Sequence, residues 1–155
     1  MINIKGITDL ISVQTITWAA NRIANSARGF ARSKGIGRIA GVKTGTAKVS
    51  KNQLSINIEI SEAGAAFEYG SGIHDPKHPH YIDINAKNAP NLVFDGTNEF
   101  EGQIIVTPHV NHPGVAPRPF LQPAKDRHRE EIKRKIAEEV GSNIRLYVRA
   151  MARKV

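Results

Sequence analysis

Two stretches near opposite ends of the chain have the hydrophobic spacing of long helices. In the first, apolar residues recur every three or four positions, from candidate N-caps at Thr8 and Asp9 to a stop before Gly35. This pattern predicts an amphipathic helix over residues 9–32. Its apolar positions are Leu10, Val13, Ile16, Ala20, Ile23, Ala27 and Phe30.

The second stretch has an apolar or histidine side chain at every fourth position, opposite a face rich in charge. This spacing predicts a C-terminal helix over residues 122–153. Because a step of four residues exceeds the 3.6 residues of one helical turn, the stripe drifts slowly around the helix. Gly141 and Ser142 could end one helix and cap a second, and a break near residue 141 therefore stays open. The stripe consists of Ala124, His128, Ile132, Ile136, Val140, Ile144 and Val148.

Between the helices, residues 42–110 are rich in short β patterns. Residues 42–49 and 54–60 are predicted to be the two strands of a hairpin, because the second alternates apolar and polar side chains strictly. A turn around residues 50–52 joins them, and the hairpin is long enough to project from a small domain. Further short strands are indicated near residues 81–84, 92–94 and 103–107.

Residues 112–123 contain four prolines. Proline holds φ near about −65° and pushes the preceding residue toward extended backbone, so this segment is predicted to be a stiff elbow. Phe120 and Leu121 are placed to anchor the start of the next helix on the core. Together the patterns predict a single α+β domain over residues 1–155. Its long N-terminal and C-terminal helices pack on a small, mostly antiparallel sheet of about four strands, with the hairpin projecting.

The charge of the chain is unevenly distributed. The 155 residues have a net charge of +8 and no cysteine, which excludes disulfides and thiolate chemistry. Residues 1–51 hold nine Lys and Arg and one acid, residues 52–118 hold three and eight, and residues 119–155 hold ten and five. Basic ends around an acidic centre favour either nucleic-acid contact or subunits that dock a basic surface on an acidic one. We favour protein assembly, with non-specific DNA contact as a second use.

The sequence contains no membrane or export signal that we recognise. No apolar run approaches the ~18 residues of a membrane span, and the N-terminus MINIKGITDL lacks a basic-then-apolar signal pattern. We therefore predict no membrane partner and a product that is cytoplasmic when made.

The cluster His74, His78 and His80 is the candidate for a metal site, because His-x₃-His spacing occurs in zinc sites. We interpret the three instead as surface residues of a proline-stiffened loop, and we predict no bound metal or cofactor. No Ser, Thr or Lys lies in a recognisable nucleophile motif, so we predict that the protein is not an enzyme. A metal-dependent nuclease that uses these histidines is the weakest alternative that we consider.

Two motifs carry a resemblance to a known family. The segment AFEYGSG at residues 66–72 precedes HPGVAPRPFLQPA at residues 112–124, in that order. This pair resembles the tail-completion, or head–tail joining, family of long-tailed bacteriophages, and the match covers roughly residues 63–136. The first third of the chain matches only in general character, a long helix followed by a strand.

The resemblance implies a structural protein of the virion neck. Such a protein joins the tail to the head connector as a ring of six subunits around the DNA path, and it is made in the host cytoplasm before assembly. We expect an ion pair between Glu68 and Arg118 to tie the two motifs together. The runner-up function is a basic accessory protein that binds nucleic acid without sequence preference. The motif residues are Phe67, Glu68, Tyr69, Gly70, Arg118, Pro119 and Phe120.

Overall fold

The structure, a computed structural model, describes residues 10–50, 53–87, 89–95 and 101–153. In these ranges a long N-terminal and a long C-terminal helix flank antiparallel strand pairs, which confirms the predicted α+β class. Within the chain, residue contacts define two compact units. Every buried apolar side chain in the described ranges belongs to the first unit. The first unit comprises residues 1–68 and 119–155, and the second comprises residues 69–118.

Helix α1 spans Val13–Ser33 and begins later than the predicted helix over residues 9–32. Ser12 occupies the N-cap with extended backbone, and its Oγ accepts a hydrogen bond of 3.2 Å from the Thr15 N–H. This bond satisfies one of the N–H groups that lack a partner inside the helix, so the helix starts here. The predicted N-caps Thr8 and Asp9 lie outside the described residues. The buried face of α1 consists of Thr15, Ala19, Ala20, Ala24, Ala27 and Ala31.

The predicted hairpin of the first unit is divided into two short ladders. On one side of the division Thr44 lies opposite Ile58, and on the other Lys48 lies opposite Ser55. The three residues 45–47 therefore lie opposite only two residues, 56–57. The extra residue forms a bulge that interrupts the pairing. The predicted turn includes residues 51–52, which are outside the described ranges. The strands are β1 Lys43–Thr44, β2 Lys48–Ser50, β3 Gln53–Ser55 and β4 Ile58–Glu59, paired β1 with β4 and β2 with β3.

Helix α2, Glu62–Tyr69, follows the hairpin and packs closely against the loop after α1. The Ser61 Oγ caps it by accepting a hydrogen bond of 2.9 Å from the Gly64 N–H. The Ser61 N–H in turn donates to the Ala40 carbonyl at 3.1 Å. Gly64 itself lies against that same carbonyl, where a Cβ atom would have no room.

Helix α3 spans Leu121–Ala152 without interruption, close to the predicted range of residues 122–153. Gly141 is not among the glycines with positive φ, so it does not take the backbone conformation that commonly ends a helix. The helix runs antiparallel to α1, and the two pack along most of the length of α1. Neither α3 nor any other helix in the described ranges is long and apolar enough to cross a membrane.

The core of the first unit is built mainly from small side chains, and Phe120 is its largest fully buried residue. Alanines on α1 let the backbones of neighbouring elements approach closely. The aromatic ring of Phe120 fills much of the space that remains between them. The cluster contains Ala24, Ala27, Ala31, Ile36, Ala40, Val42, Phe120 and Ala124, and Ile23, Phe30, Ile58, Ile60, Phe67 and Leu121 pack against it.

The second unit contains two antiparallel ribbons instead of part of one larger sheet. Strand β5 pairs with β8, and β6 pairs with β7. Pro108 alone separates β7 from β8, and because proline has no N–H the ladder of β7 cannot continue through it. A cavity of about 340 Å³ has both ribbons in its lining. The strands are β5 Ile82–Asn85, β6 Leu92–Asp95, β7 Ile104–Thr107 and β8 His109–His112.

Two of the helical glycines, Gly29 and Gly64, should respond in opposite directions to substitution by alanine. Gly29→Ala should raise the free energy of unfolding by about 0.5–1 kcal/mol, because alanine favours the helix and nothing lies within 4 Å of the new Cβ. Gly64→Ala should lower it by about 1–3 kcal/mol, because the Cβ would collide with the Ala40 carbonyl. Urea unfolding of both variants measures the difference, and equal stabilisation by both would contradict the packing of α2.

Candidate functional site

The two motifs coincide with the two places where the chain passes between its compact units. One passage lies between Glu68 and Tyr69, and the other between Arg118 and Pro119. The first motif ends α2, and the second leads into α3. We therefore take the motif residues as the candidate functional site and describe them unit by unit.

In the first unit, the Glu68 carboxylate caps the start of α3. Its oxygens accept hydrogen bonds from the main-chain N–H groups of Phe120 at 2.6 Å, Leu121 at 2.8 Å and Gln122 at 2.9 Å. Glu68 is only 5% exposed, and its bond to the Phe120 N–H is buried, whereas the other two bonds are partly buried. These N–H groups have no acceptor within the helix, and a negative charge is also favoured at a helix N-terminus.

This partner differs from the Arg118 guanidinium that the sequence analysis assigned to Glu68. Both carboxylate oxygens are engaged by the main chain of residues 120–122. Arg118 is exposed and belongs to the second unit. A sequence signal for the observed partner does exist: Phe120 stands at the N-cap and cannot accept a hydrogen bond with its side chain, so the helix needs a cap from elsewhere.

The aromatic residues of the motifs have different environments. Phe120 is fully buried at 0% exposure, and Phe67 is half-buried against the same cluster. Both therefore contribute to the core of the first unit. Tyr69 is 62% exposed, and Pro119 is exposed as well. Tyr69 is therefore the one aromatic residue of the two motifs that is mostly exposed.

In the second unit, the GSG turn and the first half of the elbow lie directly against each other. The Ser71 N–H donates to the Val115 carbonyl at 3.0 Å, and the Val115 N–H donates to the Ser71 Oγ at 3.0 Å. Gly72 and Gly114 have φ angles of 63° and 89°, and a Cβ on either would collide with a carbonyl of the opposite segment, that of Pro113 or Ser71. Only glycine combines this backbone conformation with such a close approach.

The histidines of the second unit bond to neighbouring groups of their own loop or end a short helix. No group of three or more potential ligands converges anywhere in the ranges that the structure describes. Instead, the Asp75 carboxylate accepts the N–H groups of Lys77 at 2.8 Å and His78 at 3.3 Å. The hydrogen bond from Lys77 is the main reason that the pKa of Asp75 lies below its ordinary value of 3.8. His80 bonds the His78 carbonyl through Nδ1, and His74 ends a short 3₁₀ helix.

A polar cluster that the sequence analysis did not single out joins α1 to α3. His128 Nε2 lies 2.6 Å from the Ser26 Oγ, and its Nδ1 lies 3.0 Å from the Glu131 carboxylate. Arg22 donates to the other oxygen of Glu131 at 2.9 Å. The hydrogen bond from Arg22, and next that from His128, hold the pKa of Glu131 below its ordinary value of 4.5. The sequence signal for this cluster is His128 itself, a polar residue within the apolar stripe of α3.

The order of bonds in this cluster is that of a serine–histidine–carboxylate relay. A relay also needs N–H groups that are free to stabilise an oxyanion near the serine. Ser26 lies in the middle of α1, where regular helical hydrogen bonds already engage the surrounding N–H groups. We therefore interpret the cluster as a polar link between two helices.

Trp18 extends this link along the same pair of helices. The Lys135 Nζ lies 4.7 Å from the centroid of its ring, and the Arg22 guanidinium carbon lies 5.9 Å from it. Cations within about 6 Å of an aromatic face are attracted to it. The tryptophan is half-buried, so it serves the contact between α1 and α3 rather than the alanine-rich core.

The cap on α3 predicts a large effect from a single substitution. Glu68→Ala should lower the free energy of unfolding by about 2–4 kcal/mol, because three N–H groups lose their acceptor and that of Phe120 is buried. Glu68→Gln should cost roughly half as much, because one acceptor oxygen remains. Chemical denaturation measures both. Glu62→Ala, at the exposed start of α2, is the matched control and should change stability by no more than about 0.5 kcal/mol.

Three comparisons with known proteins complete the description of the site. No protein-family model, no curated protein and no solved structure matches the chain. The resemblance to tail-completion proteins is therefore argued from the two motifs of this chain and from the contacts that their residues make.

Proposed function

We propose that the protein is a structural subunit of the neck of a long-tailed bacteriophage, where it joins the tail to the head connector. The observation that carries the proposal is that the two motifs of the resemblance are bonded to each other. In the first unit, Glu68 holds the main chain of residues 120–122, and in the second, Ser71 holds Val115. Motif residues that are more than forty positions apart thus support each other, as a functional pair would.

The charges of the two units support an assembly role. The first unit holds nineteen Lys and Arg against nine Asp and Glu, whereas the second holds three against five. Contact between unlike surfaces of neighbouring copies is heterologous, and such contacts close into a ring when the rotation between copies permits. We propose a ring of six copies around the DNA path, in the virion, with assembly from the host cytoplasm. The role of the protein is structural rather than enzymatic.

This proposal predicts the behaviour of the purified protein. At low salt, native mass measurements and electron micrographs should show closed rings, and higher salt should loosen them because surface charges are screened. A strict monomer of about 17.0 kDa at every salt concentration would contradict self-assembly by charge complementarity. Rings that persist unchanged at high salt would instead assign the contact to apolar surface.

A second candidate function, non-specific binding to a nucleic-acid backbone, is supported by one observation. Residues 10–58 contain eight Lys and Arg and no Asp or Glu. Within this stretch, Arg32 and Arg38 line an open hollow of about 570 Å³ at the end of α1, together with Gly35 and Gly37. The ion pairs found among the described residues involve neither arginine, so both guanidinium groups are available to phosphate. A metal-dependent nuclease is not proposed, because its candidate ligands do not converge.

The second function predicts a specific change in salt dependence. If Arg32 and Arg38 each neutralise a phosphate, Arg32→Ala/Arg38→Ala should reduce the slope of log affinity against log salt by about 2 for duplex DNA. Lys133→Ala is the matched control, because Lys133 is paired with Glu130 on α3, and it should leave the slope unchanged. Filter binding across a salt series measures the slope. An unchanged slope in the double variant would remove the hollow as a phosphate site.

A further inference from the structure

The C-terminal end of α3 presents an apolar stripe to solvent. The last hydrogen bond between this helix and the N-terminal region in the described ranges runs from Asn143 to the Leu10 carbonyl at 3.0 Å. Beyond it, Ile144, Val148 and Met151 are 43%, 51% and 38% exposed. Their spacing of four and three residues places them on one face of the helix. We call this stripe of three residues the α3 stripe; Arg145 lies beside it.

The ribbon β6–β7 in the second unit also exposes an apolar face. Val93 lies directly opposite Val106, and Asp95 lies directly opposite Ile104. Side chains two positions apart on a strand share a face, so these four residues form one surface, which we call the ribbon face. Val93, Val106 and Ile104 are 68%, 58% and 71% exposed. Val93 also lines the cavity of the second unit, together with Leu92 and Phe94 of the same strand.

We propose that the α3 stripe of one copy docks on the ribbon face of the next copy. The two surfaces match in kind, since each consists of three aliphatic side chains with charge at its border. Their charges are opposite in sign, since Arg145 borders the stripe and Asp95 lies within the ribbon face. A border of unlike charge steers two such surfaces together and sets their register.

The partner is a second copy because each chain carries one surface of each kind. The α3 stripe belongs to the basic unit and the ribbon face to the acidic unit, so every copy can give one contact and receive another. This arrangement is heterologous and generates a ring or a filament. The inference rests on the proposed ring and names the surfaces that would form it.

The size of the two surfaces indicates how strong one contact is. Three aliphatic side chains on each side bury far less than the ~1,600 Å² of a standard stable interface. A single contact is therefore weak. It becomes effective when ring closure gives each copy two contacts, or when several copies bind side by side to one partner surface. We expect assembly to depend steeply on protein concentration.

The absence of native cysteine makes the contact directly testable. Val148→Cys and Val106→Cys are prepared as two separate proteins and oxidised together at roughly 1 mM, a concentration that populates even a weak contact. The mixture should yield a covalent dimer, whereas each protein alone should remain mostly monomeric. A chain that carries both substitutions should yield a ladder of oligomers.

Two further sets of variants control for chance collision and for charge. Ser142→Cys, exposed on the side of α3 away from the stripe, should give at least tenfold less dimer with Val106→Cys. Adding Arg145→Asp to the first protein should lower the yield severalfold, and adding Asp95→Arg to the second should restore it. Restoration by the paired reversal would identify the charged border as part of the contact.

The possible outcomes separate this inference from the proposed ring. No dimer from Val148→Cys with Val106→Cys, in a protein whose micrographs show rings, overturns the contact and leaves the ring. A disulfide that closes only within single chains of the double variant also overturns it. A specific dimer together with open filaments supports the contact and contradicts the closed ring.

Discussion

The start of α3 needs hydrogen-bond acceptors that its own sequence does not provide. The segment before the helix offers proline and Phe120, neither of which can cap it, and the Phe120 N–H is buried. An unsatisfied buried N–H costs about 1–3 kcal/mol, so the acceptor must come from another element. Glu68 at the end of α2 supplies it for three consecutive N–H groups. This one carboxylate fixes where α3 begins, and with it the position of the Phe120 ring in the core.

Polar groups define the alignment of the two long helices, because the small side chains between them do not. A face of small side chains brings the helix backbones close but does little to define their alignment. Directional bonds define it at intervals: Glu139 accepts the Ser12 N–H at 3.0 Å at one end, and His128 meets Ser26 further along. The N-terminal region of each long helix is thus held by a glutamate from another helix, Glu139 for α1 and Glu68 for α3.

Apolar spacing predicted the elements that depend on local sequence. It did not predict the features that depend on residues far away in the chain. Both long helices follow from apolar spacing, and α3 continues through Gly141 because nothing there requires a stop. The partner of Glu68 was predicted wrongly, since a carboxylate beside an arginine motif suggests an ion pair. Phe120 at the N-cap signals that α3 needs a cap from elsewhere, but which residue supplies the cap appears only in the folded chain. The division of the hairpin at residues 45–47 depends on cross-strand register, which alternation along one strand does not reveal. The start of α1 at Ser12 illustrates the uncertainty of helix boundaries.

The two units differ in how they are stabilised, and this difference bears on assembly. The first has a core around Phe120, whereas in the described part of the second only Gly72 is buried. The second is held instead by ladder hydrogen bonds and by the glycine contacts around Ser71, which leave aliphatic side chains in water on both ribbons. Burying such side chains against another surface is favourable by about 25 cal/mol per Å². The proposed contact between copies would therefore stabilise the second unit more than the first, whose apolar side chains already pack around Phe120.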